Sequence, residues 1–213
     1  MTLLSPLRAT SVSQPVSKPG AARAAARREL WRRRDAQSPA QRRAAGGLIL
    51  AALARSPWLK PGSAVALYVS RGSEVDSRPL RALALRRGCR VYLPRITDYR
   101  GHRMIMVREA GGALRRNRYR IAEPAGSAAV AAPALAVVLM PLVGFDDEGN
   151  RLGNGAGYYD RFFSARRGAR GAPLLVGIGF ECQRCPPLEA AAHDVPLDAI
   201  ITEHGIQTFA GKS

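Results

Sequence analysis

The chain has 213 residues, and its 33 Lys and Arg against 16 Asp and Glu give a formal net charge of +17. That length suits one domain with a full α/β core. No apolar run approaches the length of a membrane span and no signal-peptide core is visible, which argues against membrane insertion.

Residues 1–20 are rich in Ser, Pro and Thr, contain no acid, and predict a disordered tail. An Arg- and Ser-bearing, acid-free start also suits a mitochondrial transit peptide. An unstructured extension is the preferred reading, because no amphipathic helix precedes residue 20. Residues 21–35 predict a helix. Ser38 then reads as the N-cap, and Pro39 as the first residue, of a second helix running to about residue 54. Residues 64–70 read as a buried strand, 77–87 as a helix closed by Gly88, and 90–93 as another strand. A short strand over 103–108 sets Met104 and Met106 on one face, and 135–140, 174–180 and 199–202 complete the strands. Apolar strands alternating with helices predict an open, mostly parallel sheet sandwiched by helices, a Rossmann-like three-layer α/β domain over residues 21–208. Ligands of such sheets bind outside the carboxyl ends of the strands. Glu74, Arg95, Arg151 and Asp194 fall just after strand candidates, or near enough for their loops to meet there.

Thirty of the 33 basic residues are arginine, which suits a compositional bias as readily as a binding surface. Ten basic residues and two acidic ones lie at or before Arg43, so +8 of the charge sits in the tail and the first helices. Such a field would attract polyanionic small substrates. There are few aromatics to stack bases and no nucleic-acid module pattern, so nucleic acid is not expected as the main partner. Three cysteines, an odd number, argue for a reducing compartment, and a cytoplasmic protein is expected. Cys182 and Cys185 have CxxC spacing, but no second pair accompanies them and Pro186 and Pro187 follow, so chance spacing is the better account.

The most informative run is Arg151-Leu-Gly-Asn-Gly-Ala-Gly-Tyr-Tyr-Asp-Arg161. Glycines at 153, 155 and 157 free the backbone so that successive amides can turn toward an anion. The run follows the strand candidate at 135–140 and leads into a helix from about Tyr158, whose positive end would face a phosphate. Arg151 and Arg161 bracket it with positive charge, and Asp160 offers the oxygen ligand a phosphate-bound magnesium requires. Tyr158 and Tyr159 stand where a P-loop needs Lys and Ser or Thr, and the glycine spacing does not fit a dinucleotide fingerprint. A plain tight turn between strand and helix would use the same glycines.

The longer stretch from Met140 through Pro-Leu-Val-Gly-Phe-Asp-Asp-Glu-Gly-Asn to this run and Phe163 resembles the signature of the 5-formyltetrahydrofolate cyclo-ligases, also called 5,10-methenyltetrahydrofolate synthetases. Glu74-Val-Asp-Ser77, Pro94-Arg95, Glu123-Pro124, Gln183, His193-Asp194 and Asp198-Ala-Ile-Ile-Thr-Glu203 fall in that family's order, over residues 23–206. Asn154 stands where the family more often has a large residue, Ala156 where it usually has glycine, and Arg23 where a lysine is common. The resemblance implies ATP-dependent conversion of 5-formyltetrahydrofolate to 5,10-methenyltetrahydrofolate, with ADP and phosphate released.

It further implies that Arg23 and Arg27, one turn apart on the first helix, grip ATP phosphates with Arg151, Leu152, Gly153, Asn154, Gly155, Ala156, Gly157, Tyr158 and Tyr159. Arg151 would act on the transferring phosphoryl group, and Asp160 and Asp194 would hold magnesium. Val69, Glu74, Asn154 and Tyr158 would meet the folate, with the Glu74 carboxylate taking paired donors of the pterin ring. A monomer with small-molecule substrates is expected. Each residue also has a plainer role open to it. Arg23 and Arg27 have Arg28, Arg32 and Arg33 as rivals, Glu74 and Asp160 could serve as caps, Asp194 could bond His193, and one tyrosine could belong to the core. The alternative function is a basic nucleic-acid- or nucleotide-binding protein of the same fold without folate activity.

Overall fold

The computed structural model describes residues 19–109, 111, 114–118, 120–166 and 173–209, so the tail predicted over 1–20 lies outside the described residues apart from Pro19 and Gly20. Helix α1 (Pro19–Ala36) is built of Ala, Arg, Glu and Leu, all strong helix formers, and Glu29 ties it internally to Arg32 and Arg33. It ends where Ser38 precedes a proline and is driven to extended backbone. Ser38 then starts α2 (Pro39–Arg55) with a reciprocal cap: its Oγ accepts from the Gln41 amide at 3.2 Å and Gln41 Oε1 accepts from the Ser38 amide at 2.8 Å. Helix α3 (Ser77–Arg86) is capped by Asp76 and released at Gly88, whose φ of 74° any other side chain would resist.

The strands are β1 (Ala64–Ala66), β2 (Arg90–Asp98), β3 (Arg103–Arg108), β4 (Leu114–Arg116), β5 (Ala122–Pro124), β6 (Ala129–Val130), β7 (Val137–Pro141), β8 (Gly144–Phe145), β9 (Arg151–Leu152), β10 (Leu174–Ile178), β11 (Ala199–Thr202) and β12 (Gly205–Thr208). A fourth helix, α4, spans Tyr158–Phe162. Eight strands form one sheet in the order β12-β11-β10-β7-β1-β2-β3-β6. The strands from β11 to β2 run parallel, and antiparallel strands close both edges. The mostly parallel sheet is as expected; the edges are not, because short antiparallel strands lack the long apolar runs of a buried strand.

The chain passes from β1 to β2 on one side and returns to β7 on the other, so direction reverses between β1 and β7. Pairing of β1 with β7 stops at Ala66 and Val138, whereas β7 continues to Pro141 beside β10. Beyond the Leu67 amide, which donates to the Tyr92 carbonyl at 2.9 Å, the β1 chain leaves the sheet. The strand expected over 64–70 is therefore shorter, and a crevice opens at the carboxyl ends, the usual ligand position at a topological switch. β2 is longer than expected and runs through Pro94, two residues past Tyr92. The missing Pro94 donor faces the side that β1 has vacated, so no ladder bond is lost. Arg95, expected in a loop, is thus paired within the β2–β3 hairpin and bonds the Gly126 carbonyl at 2.6 Å, away from the cleft.

Ile49 and Leu53 of α2 and Leu80 and Leu83 of α3 pack on Val65, Leu67, Leu139, Val176 and Ile201. Replacing the fully buried Leu53 by Ala would cost about 2–5 kcal/mol. The opposite face buries Ala66, Met106, Val138, Met140 and Ile200 under Leu135, Phe145, Phe163 and the aromatics of α4. Alternate residues of β7 thus enter opposite cores, as the two-residue period of a strand requires. A smaller cluster joins Leu30 of α1 to Val143 and Leu152. Gly144 makes that seat possible, since a methyl there would collide with Leu30 Cδ1.

Candidate active site

The segment between β7 and the glycine run is a β-hairpin, β8–β9, rather than a direct strand-to-loop passage. Asp146, fully buried, organises its turn. Its Oδ1 accepts the Glu148 and Asn150 amides at 3.0 and 2.9 Å, and its Oδ2 accepts Asn150 Nδ2 and the Leu188 amide at 2.8 and 2.9 Å. Asp-Asp-Glu-Gly-Asn is a legible turn signal, with Gly149 at φ 82°. Two expectations change in consequence. Arg151 projects from a strand, not a loop, and Leu152 is fully buried in the α1 cluster, its carbonyl accepting the Val143 amide at 2.7 Å. Its side chain is turned away from the cleft, whereas the phosphate contact expected of Leu152 was through its backbone amide.

The glycine loop follows. Gly155 and Gly157 take φ of 100° and 68°, the left-handed side, while Asn154 and Ala156 do not. The substitution of Ala156 for glycine is thereby tolerated. The α4 helix has only five residues, too short for the dipole expected from the sequence to act as more than its own first-turn amides. Positive charge at the loop comes mainly from arginine.

A cleft of about 700 Å³ lies at the sheet's switch point, lined by Arg23, Arg27, Val69, Glu74, Arg151, residues 153–160 and Asp194. Every predicted site residue except Leu152 lines this one space. The α1 helix crosses its mouth, and Arg23 and Arg27 reach the same side from successive turns. Arg27 Nε donates to the Gly153 carbonyl at 2.8 Å, and Arg23 Nη1 donates to Asp194 Oδ2 at 2.8 Å and the Glu189 carbonyl at 2.6 Å. Burial, then the neighbouring Arg23 charge, lowers the Arg27 pKa from its usual value, so an anion here relieves repulsion as well as adding attraction. Arg28 points to solvent, and Arg32 and Arg33 are paired with Glu29.

Beneath the loop, Arg151 Nη2 donates to Asp160 Oδ1 at 2.6 Å, with the Arg151 side chain only 4% exposed. Asp160 Oδ1 also accepts the Val195 amide at 3.2 Å. Asp194 takes its ordered bonds on Oδ2, including the Ala191 amide at 2.9 Å, with His193 3.8 Å from Oδ1. Arg151 Nε is buried without a hydrogen-bond partner among the described residues. An unmatched buried donor costs about 1–3 kcal/mol. No cluster of three or more His, Cys, Asp or Glu suited to a metal occurs among the described residues. Two carboxylates, Asp160 and Asp194, line the cleft.

The other end of the cleft is less polar, walled by Tyr68, Val69, Pro94, Ile96, Met104 and Ile121. Glu74 stands there on the turn after β1, its Oε2 accepting the Arg71 amide at 2.9 Å. Burial pushes its carboxyl above the usual range, opposed by the Arg71 amide, the charges of Arg34 and Arg71, and a hydrogen bond from Asn154. Burial likewise raises Tyr68 and Tyr159, so both stay neutral phenols. Tyr158 meets His102 edge to face at 5.5 Å, while Tyr159 stacks on Phe163 and belongs to core and cleft at once.

Glu123, Ile96 and Ile121 of the rim, and the buried Arg34, were not identified from the sequence as site residues. For Arg34 the signal was present: positions 23, 27, 30 and 34 share one helical face. Gln183 holds the loops behind the site, donating to the carbonyls of Leu142 and Val143 at 2.8 and 3.1 Å. Cys182 and Cys185 are free, and burial pushes the Cys185 thiol up to about 11.

An open α/β sheet with a cleft at its switch point, lined by a glycine loop and arginines of α1, belongs to the class of α/β proteins that take their ligands at the carboxyl ends of the strands. Residues 19–203 match the model of the 5-formyltetrahydrofolate cyclo-ligase family. The 5-formyltetrahydrofolate cyclo-ligase of Escherichia coli K12 is 32% identical over 176 residues, covering 81% of this chain and 96% of its own. A mouse protein of the same name is 26% identical over 148 residues, covering 65% and 72%. The solution structure of Aquifex aeolicus 5,10-methenyltetrahydrofolate synthetase superposes with a TM-score of 0.76 at 28% identity, covering 90% of this chain and 95% of that one. The chain belongs to the 5-formyltetrahydrofolate cyclo-ligase family, and its activity is ATP-dependent conversion of 5-formyltetrahydrofolate to the 5,10-methenyl form. The alternative of a nucleic-acid-binding protein without folate activity is not favoured.

Proposed function

We propose that the glycine-loop end of the cleft takes the ATP phosphates and the Glu74 end takes the pterin, so that the formyl oxygen meets the γ-phosphoryl group between them. The convergence of Arg23, Arg27, Arg151 and the glycine loop in one cleft with Glu74 and the apolar walls of Val69, Ile96 and Met104 carries this reading. The formyl group is an amide, and its oxygen is a poor leaving group. Attack of that oxygen on the γ-phosphorus releases ADP and leaves a phosphate ester on an electrophilic carbon. N10 of the same molecule then attacks the carbon and gives up its proton, and phosphate departs with the oxygen. No protein nucleophile is required; charge neutralisation and alignment are.

Arg151 is the residue for the transferring group, because its guanidinium is held beneath the glycine loop by Asp160 and Arg151 lines the cleft. Arg27 holds the loop through the Gly153 carbonyl and keeps its remaining N–H groups for phosphate. Glu74 accepts the paired pterin donors, and Val69 packs beside the ring. Magnesium, held by Asp160 and Asp194, would screen the phosphate charge. The three free cysteines support a reducing, cytoplasmic setting. Among the described residues no helix is long and apolar enough to cross a membrane. The test is absorbance of the methenyl product with 5-formyltetrahydrofolate, ATP and magnesium, each omitted in turn. Product only with all three is expected; ATP-independent turnover, or none with all three, overturns the reading.

A further inference from the structure

Seven residues beyond Arg27 on the same face of α1, Arg34 is a charged side chain only 8% exposed. Its Nε donates to Ser73 Oγ at 2.9 Å, and the Ser73 hydroxyl in turn donates to Asp35. Ser73 is the residue before Glu74, inside the turn closed by the Glu74 amide on the Arg71 carbonyl at 3.0 Å. Arg34 Nη1 is buried with no hydrogen-bond partner among the described residues. A buried guanidinium with an unmatched donor is costly where it serves packing alone. Helix α1 therefore touches both ends of the cleft: its first turns carry Arg23 and Arg27 to the glycine loop, and its last turn fastens the Glu74 turn. Leu30, buried between them against Val143 and Leu152, fixes the helix in rotation.

We propose that Arg34 is a positioning residue for folate binding, fixing through Ser73 the turn that presents Glu74 to the cleft. This rests on the reading of Glu74 as the pterin ligand. Besides Arg34, the groups facing the Glu74 carboxylate are Arg71 on its own turn, Asn154 from the glycine loop, Tyr68 after β1 and Tyr159 of α4. Arg34 is the cation among them that a different element supplies from within the protein. Its charge favours the ionised acid against the burial that opposes it. Removing it should let Glu74 protonate at higher pH.

The experiment compares Arg34→Met, Arg34→Lys and Ser73→Ala with the native enzyme in steady-state kinetics across pH. Arg34→Met should raise the KM for 5-formyltetrahydrofolate about tenfold, the worth of one charge-assisted hydrogen bond, with the KM for ATP little changed. Its acid limb in kcat/KM for folate should move to higher pH. Arg34→Lys should restore the limb but only part of the KM, because the charge returns without the Nε bond to Ser73. Ser73→Ala keeps the charge and loses the pin, so it should raise folate KM without moving the limb. Equal changes in both KM values, or an unmoved limb in Arg34→Met, would overturn the proposal. Should Arg34→Met fail to fold, an unchanged folate KM in Ser73→Ala overturns it independently. Inactivity of the native enzyme would instead refute the function itself, and Glu74→Gln with normal folate KM would refute the pterin role beneath both.

Discussion

Replacing Arg27 by Ala removes the guanidinium that joins α1 to the glycine loop. In the free protein its Nε holds the Gly153 carbonyl at 2.8 Å, and its terminal N–H groups stand near Gly155, where a Cβ would lie 3.8 Å from Arg27 Cζ. Two effects follow: one charge-assisted bond to phosphate is lost, and the loop loses a restraint. A hydrogen bond to a charged group contributes roughly 1.5–3 kcal/mol, so ATP affinity should fall about ten- to a hundredfold. Folate affinity should change much less, since Glu74 lies at the other end of the cleft. Arg27→Lys should fall between, keeping the charge and losing the fork. Arg28, exposed, and Arg33, paired with Glu29, serve as controls expected to bind ATP normally when changed to Ala. Calorimetric titration with ATP and magnesium measures all of these. Equal small losses at Arg23, Arg27, Arg28 and Arg33 would mean a diffuse field in place of a phosphate clamp and would refute the reasoning.

Asp160→Asn should raise the magnesium concentration needed for half-maximal rate by about tenfold or more. It should also lower stability by about 3 kcal/mol, because Arg151 is left buried without its counter-charge; magnesium titration and urea unfolding check each. Unchanged magnesium dependence would remove Asp160 from the metal site. The Glu74 carboxyl, raised by burial, should give kcat/KM for folate an acid limb above the usual carboxylate range, absent in Glu74→Gln. A group raised in the folded state contributes stability below its unfolded pKa and loses it as pH rises through the folded one. Glu74→Gln should therefore unfold at a higher temperature than the native protein at neutral pH, and a lower one would reverse the assigned cause. Asp146→Ala should cost about 3 kcal/mol or more in denaturant unfolding, since four donors in and around the β8–β9 turn lose a buried acceptor.

The local features were legible in the sequence because their causes are local. Ser38-Pro39 specifies a helix start, Gly88 a helix end, and the β-branched and aliphatic runs at β7, β10 and β11 specify buried parallel strands. The run from Arg151 to Arg161 announced a tight glycine loop, since its glycines are needed wherever backbone must turn left-handed, as Gly155 and Gly157 do. What lies between β7 and that run was less legible. The Asp-Asp-Glu-Gly-Asn turn is a local signal, but its consequence is tertiary: it turns Arg151 beneath the loop against Asp160 and buries Leu152 under α1. Partnerships across the chain were decided only by folding. Arg23 and Asp194 are 171 residues apart, and nothing in either neighbourhood favours one pairing over another among so many arginines. The same holds for Arg34, which reads as one more surface charge until Leu30 seats α1 and turns that face inward. Helical periodicity names a face; which face meets the core, and so which of the six arginines of α1 reach the cleft, depends on the apolar surface that the β8–β9 hairpin presents to Leu30.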